Sequence, residues 1–162
     1  VIHFDIDGVC RHLTGAIVKG GINQWDQHMP NGQGICEYID DHLDLLMTAP
    51  ATRYCAAIKK LKNVHFISCQ PSSWRPGTAY WIYKHFPNSQ VTIDFVEKPE
   101  EKMEFLDYND FLVEDYPKFE DYSKIILIDW PYNRHVEKPA LRITEPWQLK
   151  NILGGRCNEQ MG

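Results

Sequence analysis

Two aspartates stand two residues apart in the opening VIHFDIDGVC, after a short apolar run and before a glycine. Asp5 and Asp7 thus follow a predicted buried strand, Val1 to Phe4, where unpaired charge is costly. Two more acids, Glu114 and Asp115, follow the apolar run FLV, and Ser68 follows HFI. In open parallel α/β sheets, ligands bind outside the carboxyl ends of the strands. If these runs are strands of one such sheet, their polar residues gather at one rim. Several acids at one rim repel each other, and a hard divalent cation relieves that repulsion. Magnesium suits oxygen ligands, takes few carboxylates and shares its site with phosphate. A hydroxyl at Ser68 and a nearby lysine would hold phosphate oxygens. The reaction these residue types suit is phosphoryl transfer.

The elements that must position them alternate along the chain. VHFIS, VTIDFV, DFLVEDYP, KIILIDW and ALRIT read as the second to sixth strands. Between them lie helical patterns. Pro50 opens ATRYCAAIKKLKN, with Tyr54, Ala57, Ile58 and Leu61 on one face. Pro76 opens GTAYWIYKHF, Pro99 opens EEKMEFL, and Pro146 opens WQLKNIL, which Gly154 and Gly155 are expected to stop. Alternating strands and helices predict parallel βαβ units in a layered α/β domain. Residues 11–33 break the pattern: they are rich in Gly, Asn, Gln and His and read as a mobile loop. ICEYIDDHLDLL then has helical spacing. Residues 11–48 are therefore expected to form a small insertion beside a core made of 1–10 and 49–162.

The chain has 162 residues, 43% hydrophobic, with net charge −5. That suffices for one domain with a core. The acidic balance disfavours a long nucleic-acid partner. Five cysteines without a CxxC pair indicate neither a disulfide framework nor a zinc ribbon. There is no apolar run of membrane-spanning length and no signal-type segment before the first strand. The expectation is a cytoplasmic protein with reduced thiols.

FDIDGV resembles the first motif of the haloacid dehalogenase superfamily, DxDG[VT]. The later signals fall in that superfamily's order: FISCQP for the second motif, a lysine for the third, FLVEDYP for the fourth. Within it, LVEDYP, LIDWPYNR and RITEPWQL look like the 5'(3')-deoxyribonucleotidase family, including its phage and bacterial members. The resemblance implies a Rossmann-like core with a mainly parallel sheet in the order 3-2-1-4-5, possibly with a sixth strand. It implies that Asp5 is the nucleophile, forming an aspartyl-phosphate, and that Asp7 is the general acid and then the general base. Mg²⁺ would be held by Asp5, the Asp7 backbone carbonyl and the fourth-motif pair Glu114 and Asp115. Ser68 and Cys69 would meet the phosphoryl group. The third-motif lysine is expected to be Lys102, with Lys98 as the alternate. Glu114 stands where the nucleotidases usually carry aspartate. The insertion at 11–48 lies where the superfamily places a cap, but it is short, and a second subunit could complete it as a homodimer. The substrate implied is a (deoxy)nucleoside monophosphate.

Taken singly, most of these residues have plainer explanations. Asp and Gly make ordinary turns after strands, Ser68 could cap a strand end, Lys102 could be a solvated charge, and Glu114-Asp115 could cap a turn. Their coincidence is what favours a site. Trp25 is a candidate for stacking on a nucleobase or for anchoring the insertion. Arg75 could contact substrate or cap its turn, and Arg134 is expected to fix a loop at the same rim. Trp147 is expected to pack the last helix, and the aromatic row from Trp74 to Phe86 to supply core and helix surface. His3 is expected to pack in or near the first strand. Competing readings are a phosphatase for a sugar phosphate or a nucleic-acid 3'-phosphate, and a non-catalytic phosphate- or protein-binding module.

Overall fold

The computed structural model describes residues 1–157. Six strands form one sheet in the order β3-β2-β1-β4-β5-β6, with every pairing parallel. They are β1 (Ile2–Phe4), β2 (Asn63–Cys69), β3 (Gln90–Val96), β4 (Phe111–Glu114), β5 (Ile125–Ile128) and β6 (Leu141–Ile143). The sixth strand joins beside β5, so it belongs to the sheet. The chain builds outward from β1 on one side, then returns to build outward from β4 on the other. Strand order therefore reverses between β1 and β4, and a crevice at such a point is where ligands of this architecture bind. β5 is buried at all four positions, as a strand covered on both faces must be.

The helices are α1 (Ile35–Asp40), α2 (Leu45–Thr48), α3 (Cys55–Ile58), α4 (Arg75–His85) and α5 (Pro146–Cys157). Phe4, Ile6, Phe66, Trp81, Val113 and Leu149 belong to the core on one face of the sheet. Leu112, Phe119, Tyr122 and Leu127 form the cluster on the other. Trp74, Trp81 and Phe86 are buried while Tyr80 and Tyr83 are exposed, so the aromatic row divides between core and surface as expected. His3 is buried, with Nε2 3.0 Å from Asp110 Oδ2.

Five local expectations change. The helix expected over ATRYCAAIKKLKN shrinks to the single turn α3. Its first residues are captured by the loop after β1: the Thr52 amide donates to the Cys10 carbonyl at 2.8 Å, and Pro50 accepts from the His12 amide at 2.8 Å. The buried face nevertheless holds, with Tyr54 and Ile58 in the core. The insertion's single helix divides into α1 and α2. Asp40, Asp41 and Asp44 are poor helix formers, and the chain between makes tighter turns, such as the Leu45 amide to the His42 carbonyl at 3.0 Å. The segment after Pro99 is a 3-10 helix over Pro99–Phe105. Finally, α5 runs through Gly154 and Gly155. Leu149 and Leu153 are buried on its core side and offset the glycines' weak helix preference. Trp147 on the same helix is 61% exposed and does not pack the core.

The insertion lies against the core. Leu13, Ile39 and Leu46 cluster with Ala49 and Trp74, and Trp74 Nε1 donates to Asp40 Oδ1 at 2.7 Å. Gly77 permits the close approach of α2 to α4: a β-carbon there would lie 3.0 Å from Leu46 Cβ. Residues 17–34 contain no helix or strand. No helix among the described residues is long and apolar enough to cross a membrane.

Candidate active site

Strand register brings the acids together. β1 and β4 pair with Phe4 opposite Val113, so one residue further each strand delivers a carboxylate to the crevice: Asp5 from β1 and Glu114 from β4. Asp115 comes next. Oxygens of Asp5, Glu114 and Asp115 lie within 4.8 Å of one another, and all three residues are buried. Ser68 arrives from the other neighbour, β2, and is buried beside them.

One ammonium serves this group. Lys102 Nζ lies 2.6 Å from Glu114 Oε2 and 3.0 Å from Asp5 Oδ1. The contact to Asp5 is an ion pair, and Lys102 is the partner of that buried oxygen. Three carboxylates against one ammonium leave two negative charges when all are ionised. The titration directions reflect this. Burial, and next the charge of Glu114, push the Asp5 carboxyl up to about 8. Burial, then Glu114 and Asp5, drive Asp115 well above the usual carboxylate range. Burial also opposes ionisation of Glu114, but the charge and hydrogen bond of Lys102 outweigh it and hold that carboxyl below its ordinary value. Burial likewise disfavours the Lys102 ammonium, yet Asp5 and Glu114 together raise its affinity for the proton.

Glu114 and Asp115 have different surroundings. Glu114 Oε1 accepts from the Asp115 and Tyr116 amides at 2.9 and 3.2 Å, and Oε2 accepts from Lys102. Both of its oxygens are engaged in holding the strand end and the lysine. Asp115 Oδ2 accepts a hydrogen bond from the Tyr132 hydroxyl. Gly8, at φ +79°, lies directly against it: a β-carbon on Gly8 would fall 1.8 Å from Asp115 Oδ2. The DxDG glycine is thus required both by its left-handed backbone and by the approach of Asp115. A magnesium ion fits this donor set. Asp5 and Asp115 are the carboxylates with oxygens to offer, Glu114 supports them from behind, and the two negative charges left when all three are ionised match a dication.

Asp7 stands apart from this cluster. Arg11 Nε and Nη2 donate to its Oδ1 and Oδ2 at 2.7 and 2.8 Å, and Gln70 Nε2 donates to Oδ2 at 3.0 Å. The loop that carries it is tightly folded, with the Cys10 and Arg11 amides both donating to the Ile6 carbonyl.

These residues open onto a cavity of about 420 Å³. Its floor includes Asp5, Asp7, Ser68, Cys69, Lys102 and Asp115, and the insertion contributes Leu13, Ile22, Trp25, Ile35 and Ile39 to its walls. Trp25 packs its ring 5.4 Å from those of Tyr116 and Tyr132, so it reaches the cavity and anchors the insertion at once.

Two expected participants lie elsewhere. Lys98 is exposed at the start of the 3-10 helix and does not line the cavity. Lys102 is one turn further along, on the side that the helix turns toward the sheet. Arg75 also misses the cavity: it donates to the Gln70 carbonyl at 3.3 Å, pairs with Glu97 and lies over Phe95. Its role here is to fix the turn after β2. Arg134 does bind Asp129, 3.2 Å away, and the neighbouring Tyr132 is the residue that reaches the site. Sequence reading missed Tyr132, Arg11 and Gln70. A charged residue four places after Asp7, in an otherwise apolar stretch, was the available signal for Arg11.

No protein-family model matches this chain, and no curated protein matches it.

Proposed function

We propose that the chain is a Mg²⁺-dependent phosphomonoesterase of the haloacid dehalogenase type that works through an aspartyl-phosphate on Asp5. The observation that carries this reading is the buried trio Asp5, Glu114 and Asp115 around Lys102, at the point where strand order reverses and at the floor of a cavity. A purely structural cluster has little reason to crowd three buried carboxylates around one ammonium at the floor of a cavity.

Asp5 and Asp115 would hold the metal, together with the Asp7 backbone carbonyl. When bound, Mg²⁺ would neutralise the carboxylates and draw charge from the phosphoryl oxygens. Ser68 and Lys102 would bind those oxygens. An Asp5 oxygen attacks phosphorus, the P–O bond to the leaving group breaks, and Asp7 gives that oxygen a proton. Water then attacks the phosphorus of the aspartyl-phosphate, its proton passes to Asp7, and phosphate leaves with Asp5 regenerated. Trp25, Tyr116 and Tyr132 offer flat apolar surface to the leaving group, which suits a nucleoside. A (deoxy)nucleoside monophosphate is therefore the proposed substrate.

The test is phosphate release from a panel of nucleoside monophosphates and sugar phosphates, with Mg²⁺ and with EDTA. Release that requires Mg²⁺ and vanishes in Asp5→Asn supports the reading. Silence across the panel from folded protein in Mg²⁺ favours a binding module instead.

A further inference from the structure

Arg11 is a charge buried beside the cavity, outside the cluster of acids and Lys102. It is fully buried, while the Asp7 side chain that it grips keeps 27% of its surface exposed at the cavity floor. The guanidinium makes four hydrogen bonds: two to Asp7, one to Thr78 Oγ1 at 3.0 Å and one to the Leu46 carbonyl at 2.7 Å. Thr78 in turn donates to Gln70 Oε1 at 2.7 Å, and Gln70 returns to Asp7. The ring Asp7–Arg11–Thr78–Gln70 is closed. The Trp81 ring lies 5.9 Å from the guanidinium carbon. Asp7 belongs to the loop after β1, Gln70 to the loop after β2, Thr78 to α4 and Leu46 to α2 of the insertion. One side chain therefore fixes the Asp7 carboxylate against α4 and α2, and Gln70 adds the loop after β2.

A fork-to-fork guanidinium–carboxylate pair fixes orientation as well as distance. A lysine could supply charge here but not two parallel donors. A loop that needed only an anchor could be held by its backbone bonds, which are already made. Resting on the phosphatase reading above, we propose that Arg11 is the positioning residue for Asp7. It aims the carboxylate into the cavity and, through Leu46, makes that aim depend on the insertion being docked. Arg11 itself touches no substrate.

The test separates positioning from structural support by leaving group. A nitrophenolate departs without a proton, whereas a nucleoside alkoxide needs one from Asp7. The value of kcat/KM reports only the steps through departure of the leaving group, so the later hydrolysis of the aspartyl-phosphate does not mask the comparison. Arg11→Met and Arg11→Lys are assayed with Mg²⁺ on p-nitrophenyl phosphate and on a nucleoside 5'-monophosphate. The expected result in Arg11→Met is a fall of on the order of 10–100-fold in kcat/KM for the nucleotide, a fall at least about tenfold smaller for the aryl ester, and partial recovery in Arg11→Lys. Equal falls on both esters overturn the proposal, as does no fall. Should the Arg11 variants fail to fold, Thr78→Val and Gln70→Leu loosen the same ring and must show the same selectivity at smaller size. Wild-type protein that cleaves neither ester removes the phosphatase reading and this proposal with it. An active wild type with unselective variants removes this proposal alone.

Discussion

Asp5, Glu114 and Asp115 are placed by the ends of two paired strands, whereas Trp25 and Ile22, across the same cavity, lie in a stretch without helix or strand. The floor inherits its precision from ladder hydrogen bonds: the Asp5 amide itself donates to the Val113 carbonyl at 2.9 Å. The opposite wall is held by side chains, through the cluster of Leu13, Ile39, Leu46 and Trp74 and by exposed pairs such as Lys118 with Asp26. Exposed pairs contribute little. Rigid elements suit chemistry that tolerates no misplacement, and irregular ones suit recognition of a variable group. Substitutions in the floor should therefore change the reaction or the stability sharply, and those in the wall should change affinity.

The strongest break in that contrast is Asp5→Asn. Phosphate release should fall on the order of 10⁴-fold or more, because the nucleophile is lost. The same variant should raise the melting temperature of metal-free protein above about pH 8, where the buried Asp5 carboxyl gives up its proton. A variant that keeps its activity would mean that the floor is not the reacting centre.

Lys102→Met comes next. It leaves Glu114 and Asp5 without their cation and should cost about 3–5 kcal/mol in denaturant unfolding. Gly8→Ala should cost roughly 1–3 kcal/mol from its left-handed backbone alone. It should also displace Asp115 and weaken Mg²⁺ binding by titration calorimetry. Normal metal affinity in that variant would show that Asp115 does not need the space Gly8 leaves.

The pH dependence of metal-free protein sharpens the comparison further. In the unfolded chain Asp5 ionises near the ordinary value of about 3.9, whereas in the fold its carboxyl is pushed up to about 8 by burial and by Glu114. The native state thus holds the extra proton across that interval. This contribution to stability is complete below about pH 4 and is lost as pH rises toward 8. Asp115 acts in the same direction. Thermal melts without metal should fall between pH 5 and 8.5, and Mg²⁺ should restore more at 8.5 than at 5. An equal Mg²⁺ effect at both would show that the acids do not hold the ion.

The smallest effect is expected in the wall. Trp25→Ala should raise KM for a nucleoside monophosphate about fivefold, the equivalent of ~1 kcal/mol of stacking, with kcat nearly unchanged. A collapse of kcat would assign the wall a part in the chemistry.

The strands, their parallel arrangement and the rim of acids were legible in the residue pattern. Apolar runs ending in Asp5, Ser68 and Glu114 declare both a buried strand and its polar end, and that signal lies within a few neighbouring residues. The lysine was less legible. Lys98 and Lys102 are four positions apart, and only the path of the 3-10 helix decides that Lys102 turns inward. The helix lengths differ from expectation where a distant segment competes for backbone donors and acceptors, as residues 10–12 do for 50–52.

The sequence alone determined which residues could be buried, which runs would extend, and that several carboxylates would finish at one edge of a sheet. Those properties follow from local periodicity and from the cost of burying charge. Only the tertiary structure decided that Lys102 pairs with Glu114, that Arg11 grips Asp7 while bonding to Leu46, and that Tyr132 meets Asp115. The last two of those contacts span 35 and 17 positions of chain. Contacts of that kind are fixed by strand register and helix docking, to which no short stretch of residues is sensitive by itself.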